Sequence, residues 1–230
     1  MTLRKFGLVL TIAGAATLPA TAAIAAKVVV VRSMGPSAKA YPPGKAMSDS
    51  SSIKLGSGDM VTLLGPNAAR TLRGPGVFTA SAADRSSLAM SAGRRSRFGA
   101  LRTGEVAKNP SLWDLDVTQS GKMCVSETTK LNLWRPNTDA AAKLSIRGAG
   151  KIEAVDFAAG QAAIAWPSGL PVGNGNEYEF EFDGAGDPAK LSFVAVPPPP
   201  SDLVGAAEVL IANGCQNQLD LLVESAAKAQ

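Results

Sequence analysis

The sequence predicts a mainly β protein: a small hairpin-rich β-domain, then an immunoglobulin-like β-sandwich, then a C-terminal helical hairpin. Three observations carry this reading. Short β-branched or alternating apolar runs recur along the chain, separated by Gly, Pro, Asn and Asp. Glu177-Tyr178-Glu179-Phe180-Glu181-Phe182 alternates strictly, as a strand with one wet and one buried face does. Apolar residues then take up helical spacing after the prolines 197–200.

The chain of 230 residues opens with a segment that is expected not to belong to the fold. Arg4 and Lys5 precede an uncharged run from Phe6 to Leu18, Pro19 breaks it, and Ala23-Ile24-Ala25 fits a signal-peptidase site. Residues 1–26 therefore read as an export signal, cleaved after Ala25 or Ala26. Its apolar run is short for a bilayer span, which needs about 20 residues. The lack of a nearby cysteine excludes a lipoprotein anchor, and the lack of an Arg-Arg pair favours the general secretory route. The mature chain is expected to be periplasmic or secreted, without a transmembrane segment.

Residues 27–80 form the expected small β-domain. Lys27-Val28-Val29-Val30-Val31-Arg32 is a β-branched run bounded by charge, the pattern of a buried strand. Ser52–Leu55 and Met60–Leu64 follow, and Gly65-Pro66-Asn67 turns the chain so that Ala69–Arg73 returns antiparallel. Gly74-Pro75-Gly76 leads into Val77-Phe78-Thr79. Residues 81–111 read as a basic connector with Arg94, Arg95, Arg97 and Arg102, with a helical stretch around Ala82–Met90.

Residues 112–196 carry the expected sandwich. Its strands are Trp113–Val117, Lys122–Val125, Lys130–Trp134, Ala142–Ile146, Ile152–Val155, Ala162–Trp166, Glu177–Phe182 and Lys190–Val196, with Trp134 and Trp166 as core anchors. Residues 197–230 hold a stiff proline spacer and the hairpin. Ser201 or Asp202 caps the first helix, whose Leu203, Ala206, Ala207, Leu210 and Ile211 share a face. Asn213-Gly214 ends it, and Leu219, Leu222, Val223 and Ala226 mark the second. The hairpin is expected to pack on the sandwich.

Charge is unevenly placed. The formal net charge of +4 falls to +2 once Arg4 and Lys5 are removed. Residues 27–111 hold 13 basic and 4 acidic residues, and residues 112–230 hold 8 and 15. Such a split suits two modules that attract each other, or a basic half facing an anionic envelope polymer. With Phe98 as the one aromatic among the connector arginines, nucleic acid is not an expected partner. Cys124 and Cys215 are the two cysteines, and in an oxidising compartment they are expected to form a disulfide.

The chain has no histidine, so a Ser-His-Asp triad, a Cys-His pair and a His-ligated zinc are excluded. Ser51-Ser52-Ile53-Lys54 matches the S-x-x-K of penicillin-binding proteins, but it reads as strand and lacks companion motifs. Glu177, Glu179 and Glu181, or Asp114 and Asp116, could supply paired carboxylates for carbohydrate chemistry. They read more simply as solvated strand faces. Asp183 and Asp187 flank a hairpin turn, not a full calcium loop. No cofactor, metal ligand set or catalytic residue is assigned. Arg94, Arg95, Arg97 and Arg102 are the candidate binding residues, through charge-assisted bonds to phosphates.

Leu55-Gly-Ser-Gly-Asp59-Met-Val-Thr-Leu-Leu-Gly65, followed by Arg70-Thr-Leu-Arg-Gly-Pro-Gly76, resembles the repeating-hairpin β-domain of FecR-like periplasmic proteins. The resemblance covers about fifty residues and rests on short turn motifs. It implies a non-enzymatic envelope module that holds or relays a partner. Membrane-spanning members that regulate sigma factors also have a cytoplasmic segment and a transmembrane helix, which the mature chain here is expected to lack. The remainder is similar in outline to exported bacterial proteins with a β-sandwich and helical tail. The expected function is a non-catalytic interaction or scaffold module binding an envelope protein or polymer. The alternatives are a cell-wall or carbohydrate enzyme using carboxylates or Ser51/Lys54, and an anionic-surface binder acting through the basic half.

Overall fold

The computed structural model describes residues 26–81, 111–126, 130–183 and 187–228. Residues 1–25 of the expected export signal, the expected helix near 82–90 and the connector arginines lie outside the described residues. The protein is mainly β and ends in two helices, as expected.

β1 (Lys27–Met34), β2 (Ala46–Ser48), β4 (Met60–Leu64) and β5 (Ala69–Arg73) form one antiparallel sheet in the order β2-β1-β4-β5. β3 (Ser52–Leu55) and β6 (Gly76–Thr79) form a second, two-stranded sheet. The β4–β5 hairpin is the one the Gly65-Pro66-Asn67 turn predicted. β2 and the 3-10 turn Pro36–Lys39 were not foreseen, being three and four residues long with no periodicity to read.

The valine run of β1 is buried on both faces, and this decides where the helices go. Val28 and Val30 pack with Ile53, Leu55, Val61, Leu63 and Leu72 inside the small β-domain. Val29 and Val31 point the other way, into a cluster with Leu64, Cys124 and the C-terminal helices. Strand geometry sends successive side chains to opposite faces, so an unbroken apolar run needs two covers. The second cover is α1 (Leu203–Asn213) and α2 (Gln216–Lys228).

The sandwich faces a five-stranded sheet against a three-stranded one. β11 (Lys151–Phe157), β10 (Ala142–Gly148), β13 (Glu177–Phe182), β14 (Ala189–Ala195) and β8 (Gly121–Val125) lie side by side in that order. Opposite them are β12 (Ala163–Ala165), β9 (Asn132–Trp134) and β7 (Asp114–Asp116). Two pairings are parallel, β14 with β8 and β7 with β9, and neither is visible in local sequence. Leu115 and Leu133 meet Leu144, Ile146, Tyr178, Phe180 and Phe193 in the core between the sheets. Trp166 joins this core edge-on to Tyr178 and Phe193, at 5.1 and 5.3 Å between ring centroids. Its Nε1–H donates to the Leu170 carbonyl at 2.9 Å, so the half-buried indole keeps a partner. Trp134 is also buried.

Asp202 caps α1 by accepting from the Gly205 N–H at 2.8 Å, and Gly214, at φ 72°, closes it in the left-handed conformation glycine favours. The hairpin does not rest on the sandwich alone. It covers the β1–β4–β5 sheet and reaches the sandwich through β8. At this seam Lys27 pairs with Glu208 at 2.6 Å and Arg32 with Asp220 at 2.7 Å. Both pairs join the basic N-terminal half to the acidic C-terminal half. They are half exposed and so orient more than they stabilise.

Candidate functional site

The arginines singled out as binding residues, Arg94, Arg95, Arg97 and Arg102, lie outside the described residues. The described residues place the other candidates as follows. Lys54 stands on the exposed side of β3, and Ser51 comes immediately before that strand, outside any helix. The S-x-x-K chemistry needs serine and lysine one helical turn apart. Ser51 and Lys54 are not carried on one helical turn here.

Glu177, Glu179 and Glu181 share the outer face of β13, while Tyr178 and Phe180 on the same strand are buried. Glu179 is held between two cations: Lys190 Nζ at 2.9 Å on β14 and Arg147 Nη1 at 3.5 Å on β10. The hydrogen bond and charge of Lys190 lower the Glu179 pKa, and Glu179 in turn raises that of Lys190. Arg147 also reaches Glu181 at 3.9 Å. These residues form a charge ladder across three strands. An open concavity of about 580 Å³ lies beside it, lined by Lys122, Glu177, Glu179, Lys190 and Ser192.

Asp114 and Asp116 serve their own loops. Asp114 accepts from Ser111 N–H and Asn132 Nδ2, at 2.8 and 2.9 Å. Asp116 accepts from Thr118 and Gln119. Among the described residues, no group of three or more acidic or cysteine side chains converges as a metal site. Asp183 and Asp187 flank residues 184–186, which lie outside the described set.

Asp59 is the one buried carboxylate among the described residues. It accepts from the Ser37 N–H at 2.9 Å, from the Ser37 hydroxyl, and from the Gly56 N–H at 2.6 Å. Its own carbonyl accepts from the Gly74 N–H at 2.9 Å. One residue thus ties the 3-10 turn, the β3–β4 turn and the β5–β6 turn together. The Ser37 hydroxyl is the main cause of its lowered pKa, with the two backbone N–H groups adding to it against the opposing effect of burial. The sign follows from linkage: a depressed folded pKa gives stability that is complete above the ordinary carboxylate pKa and is lost as pH falls through the folded value. Asp59→Asn is expected to lower the thermal midpoint by about 5–10 °C at neutral pH. It is also expected to flatten the acid limb of a stability–pH curve below about pH 4. An unchanged acid limb would show that the ionised carboxylate is not what holds the turns.

Three lysine positions surround Tyr41 on the small β-domain. Lys45 Nζ lies 5.1 Å from the ring centroid and donates to the Ala40 carbonyl at 2.7 Å. The Lys54 N–H donates to the Tyr41 hydroxyl at 3.0 Å. Lys39 ends the 3-10 turn two residues before Tyr41. All three lysines are exposed. Sequence separation hides this grouping, because β3 returns beside the Tyr41 turn only in the fold.

The predicted Cys124–Cys215 disulfide is present, with a Cα–Cα distance of 5.8 Å, inside the usual range for such bridges. Both sulfurs are fully buried. Beside the bridge stands Gln218, 1% exposed, which sequence reasoning missed. Its Oε1 accepts from the Cys124 N–H at 2.7 Å, and its Nε2 donates to the carbonyls of Cys124 and Leu112 at 3.0 and 3.1 Å. The side chain acts as a strand partner for β8, whose outer edge would otherwise bury unsatisfied backbone. Arg135 plays a comparable part elsewhere, donating to the Gln161 and Ala158 carbonyls at 3.0 and 2.8 Å above the Phe157 ring. Among the described residues, no helix is long and apolar enough to cross a membrane.

No protein-family model matches the chain, and neither a curated protein nor a solved structure is significantly similar to it.

Proposed function

We propose that this is an exported, non-catalytic interaction module that holds an envelope protein or anionic envelope polymer. The observation that carries the reading is how the charged side chains are used. Asp59, Arg135, Asp114 and Asp116 are committed to backbone turns, and Glu179, Arg147 and Lys190 to one another. Lys39, Lys45 and Lys54 are all exposed at positions around Tyr41, and they offer an anionic partner a contact. The buried disulfide supports residence in an oxidising compartment, periplasmic or extracellular. The FecR-like domain type is part of this proposal. The Gly58-Asp59 turn on which that resemblance rests has a structural role, so it supports the domain type without supplying a signalling residue.

In-cell cross-linking of the exported protein is expected to recover a specific envelope partner. The triple variant Lys39→Gln/Lys45→Gln/Lys54→Gln is expected to reduce that recovery several-fold, and raised salt to reduce it for the parent protein. Recovery of no specific partner sinks the reading. Recovery indifferent to both the lysines and salt removes the Tyr41 face from it.

A further inference from the structure

The five-stranded sheet treats its two edges differently. At β8 the helical hairpin seals the edge through Gln218. At β11 no hydrogen bond from the outward backbone is made among the described residues. β11 is seven residues long, contains no proline, and keeps an unbroken register with β10 from Ala142↔Phe157 to Gly148↔Lys151. A long, regular, uncovered edge is a template for another strand.

The hairpin geometry says which groups it offers. Ala149 and Gly150 both have positive φ, 50° and 73°, the signature of a two-residue type I′ loop. Its closing pair Gly148–Lys151 is hydrogen-bonded, and every second pair after it. The N–H and C=O groups of Ile152, Ala154 and Asp156 therefore point away from β10. The Asp183 N–H bond to the Lys143 carbonyl agrees, since it turns Lys143, the partner of Asp156, toward β13.

These three residues are complementary to themselves. Antiparallel pairing about a two-fold axis at Ala154 sets Ile152 opposite Asp156 of a second copy, Ala154 opposite Ala154, and Asp156 opposite Ile152. This register keeps each side chain on its own face and uses every outward donor and acceptor. It seats a small residue at the axis. It covers Ile152, 68% exposed, against its neighbour's strand. It also continues the charge ladder: the row runs Glu179, Arg147, Ile152, then Asp156 and Lys143 of the second copy, with signs alternating across the seam. On the core-facing side, Lys151 donates to the Gly169 carbonyl at 2.8 Å, and the two Glu153 side chains approach diagonally, which limits the strength of the contact.

We infer that β11 pairs with β11 of a second copy, joining two five-stranded sheets into one across a two-fold axis. This self-association is independent of which envelope partner the protein holds.

Sedimentation equilibrium of the purified protein, taken to concentrations on the order of 100 µM, tests it. The parent protein is expected to reach twice the monomer mass. Ala154→Pro is expected to stay monomeric while keeping its circular dichroism, because the N–H it removes is not part of the β10–β11 ladder. Ile152→Asp places like charges opposite each other and is expected to weaken association by about tenfold or more. Ile152→Lys faces Asp156 and is expected to retain it. A parent protein that remains monomeric at the highest concentration overturns the inference. So does a dimer unaffected by both Ile152→Asp and Ala154→Pro, and Ile152→Asp alone decides the matter should the proline variant fail to fold.

Discussion

Replacing Cys124 and Cys215 together by alanine is expected to lower the unfolding free energy by about 4–5 kcal/mol, the loop-closure value for a bridge spanning some 90 residues. The sequence separation is 91, so the bridge removes much of the freedom of the unfolded chain between the sandwich and the helical hairpin. For a chain of this size that is a fall of about 10 °C in the thermal midpoint. The effect should reach beyond the bridge. Cys215 stands at the start of α2, and the cluster around it holds Val29, Val31 and Leu64 of the small β-domain as well as Cys124 and Val196 of the sandwich. Loosening the hairpin therefore uncovers one face of β1. Urea unfolding of the parent protein, with and without reductant, checks this beside the double variant. Equal midpoints in all three would mean that the bridge stabilises nothing.

The second large effect is expected at Gln218. Gln218→Leu preserves side-chain volume approximately but leaves the Cys124 N–H, the Cys124 carbonyl and the Leu112 carbonyl without their partners. Buried backbone groups left unsatisfied cost about 1–3 kcal/mol each, so a loss of about 3 kcal/mol is expected after local relaxation and water entry. Hydrogen exchange gives a sharper readout: the Cys124 amide should exchange at least tenfold faster in the variant, with amides on β10 and β13 less affected. Because Gln218 and the disulfide both hold Cys124, their effects should not add. A sum of the two single losses in the combined variant would show that they act separately.

Much of the fold was legible because strands announce themselves locally. Glu177–Phe182 alternates, the valines of β1 run unbroken between charges, and turn residues bracket β4 and β5. The helix cap at Asp202 and the left-handed Gly214 were equally plain. What could not be read were features that depend on residues far apart in the chain. β2 and the 3-10 turn exist because β1 and Asp59 hold them in place. Nothing near Gln218 marks it as the closing partner of an edge strand 94 residues away. The positions of Lys39 and Lys45 come beside that of Lys54 only when β3 returns next to Tyr41.

The candidate site follows the same division. Composition alone removed histidine-based catalysis, and the two cysteines identified each other by being the only pair. The charge asymmetry was also plain, and it suited either attraction between the halves or an anionic partner, without naming contacts. Folding assigned them: Lys27 to Glu208 and Arg32 to Asp220, both at the seam between β1 and the helices.

By itself, the sequence determined most of the strands, the helix ends and the pairing of the cysteines, because each rests on periodicity, turn chemistry or simple count. Tertiary structure alone decided that the helices cover the valine face of β1, that Gln218 seals one edge of the large sheet, and that β11 leaves the other open. Those outcomes depend on which buried groups meet across the chain, and a backbone hydrogen-bonding group carries no mark in sequence of whether its partner will arrive.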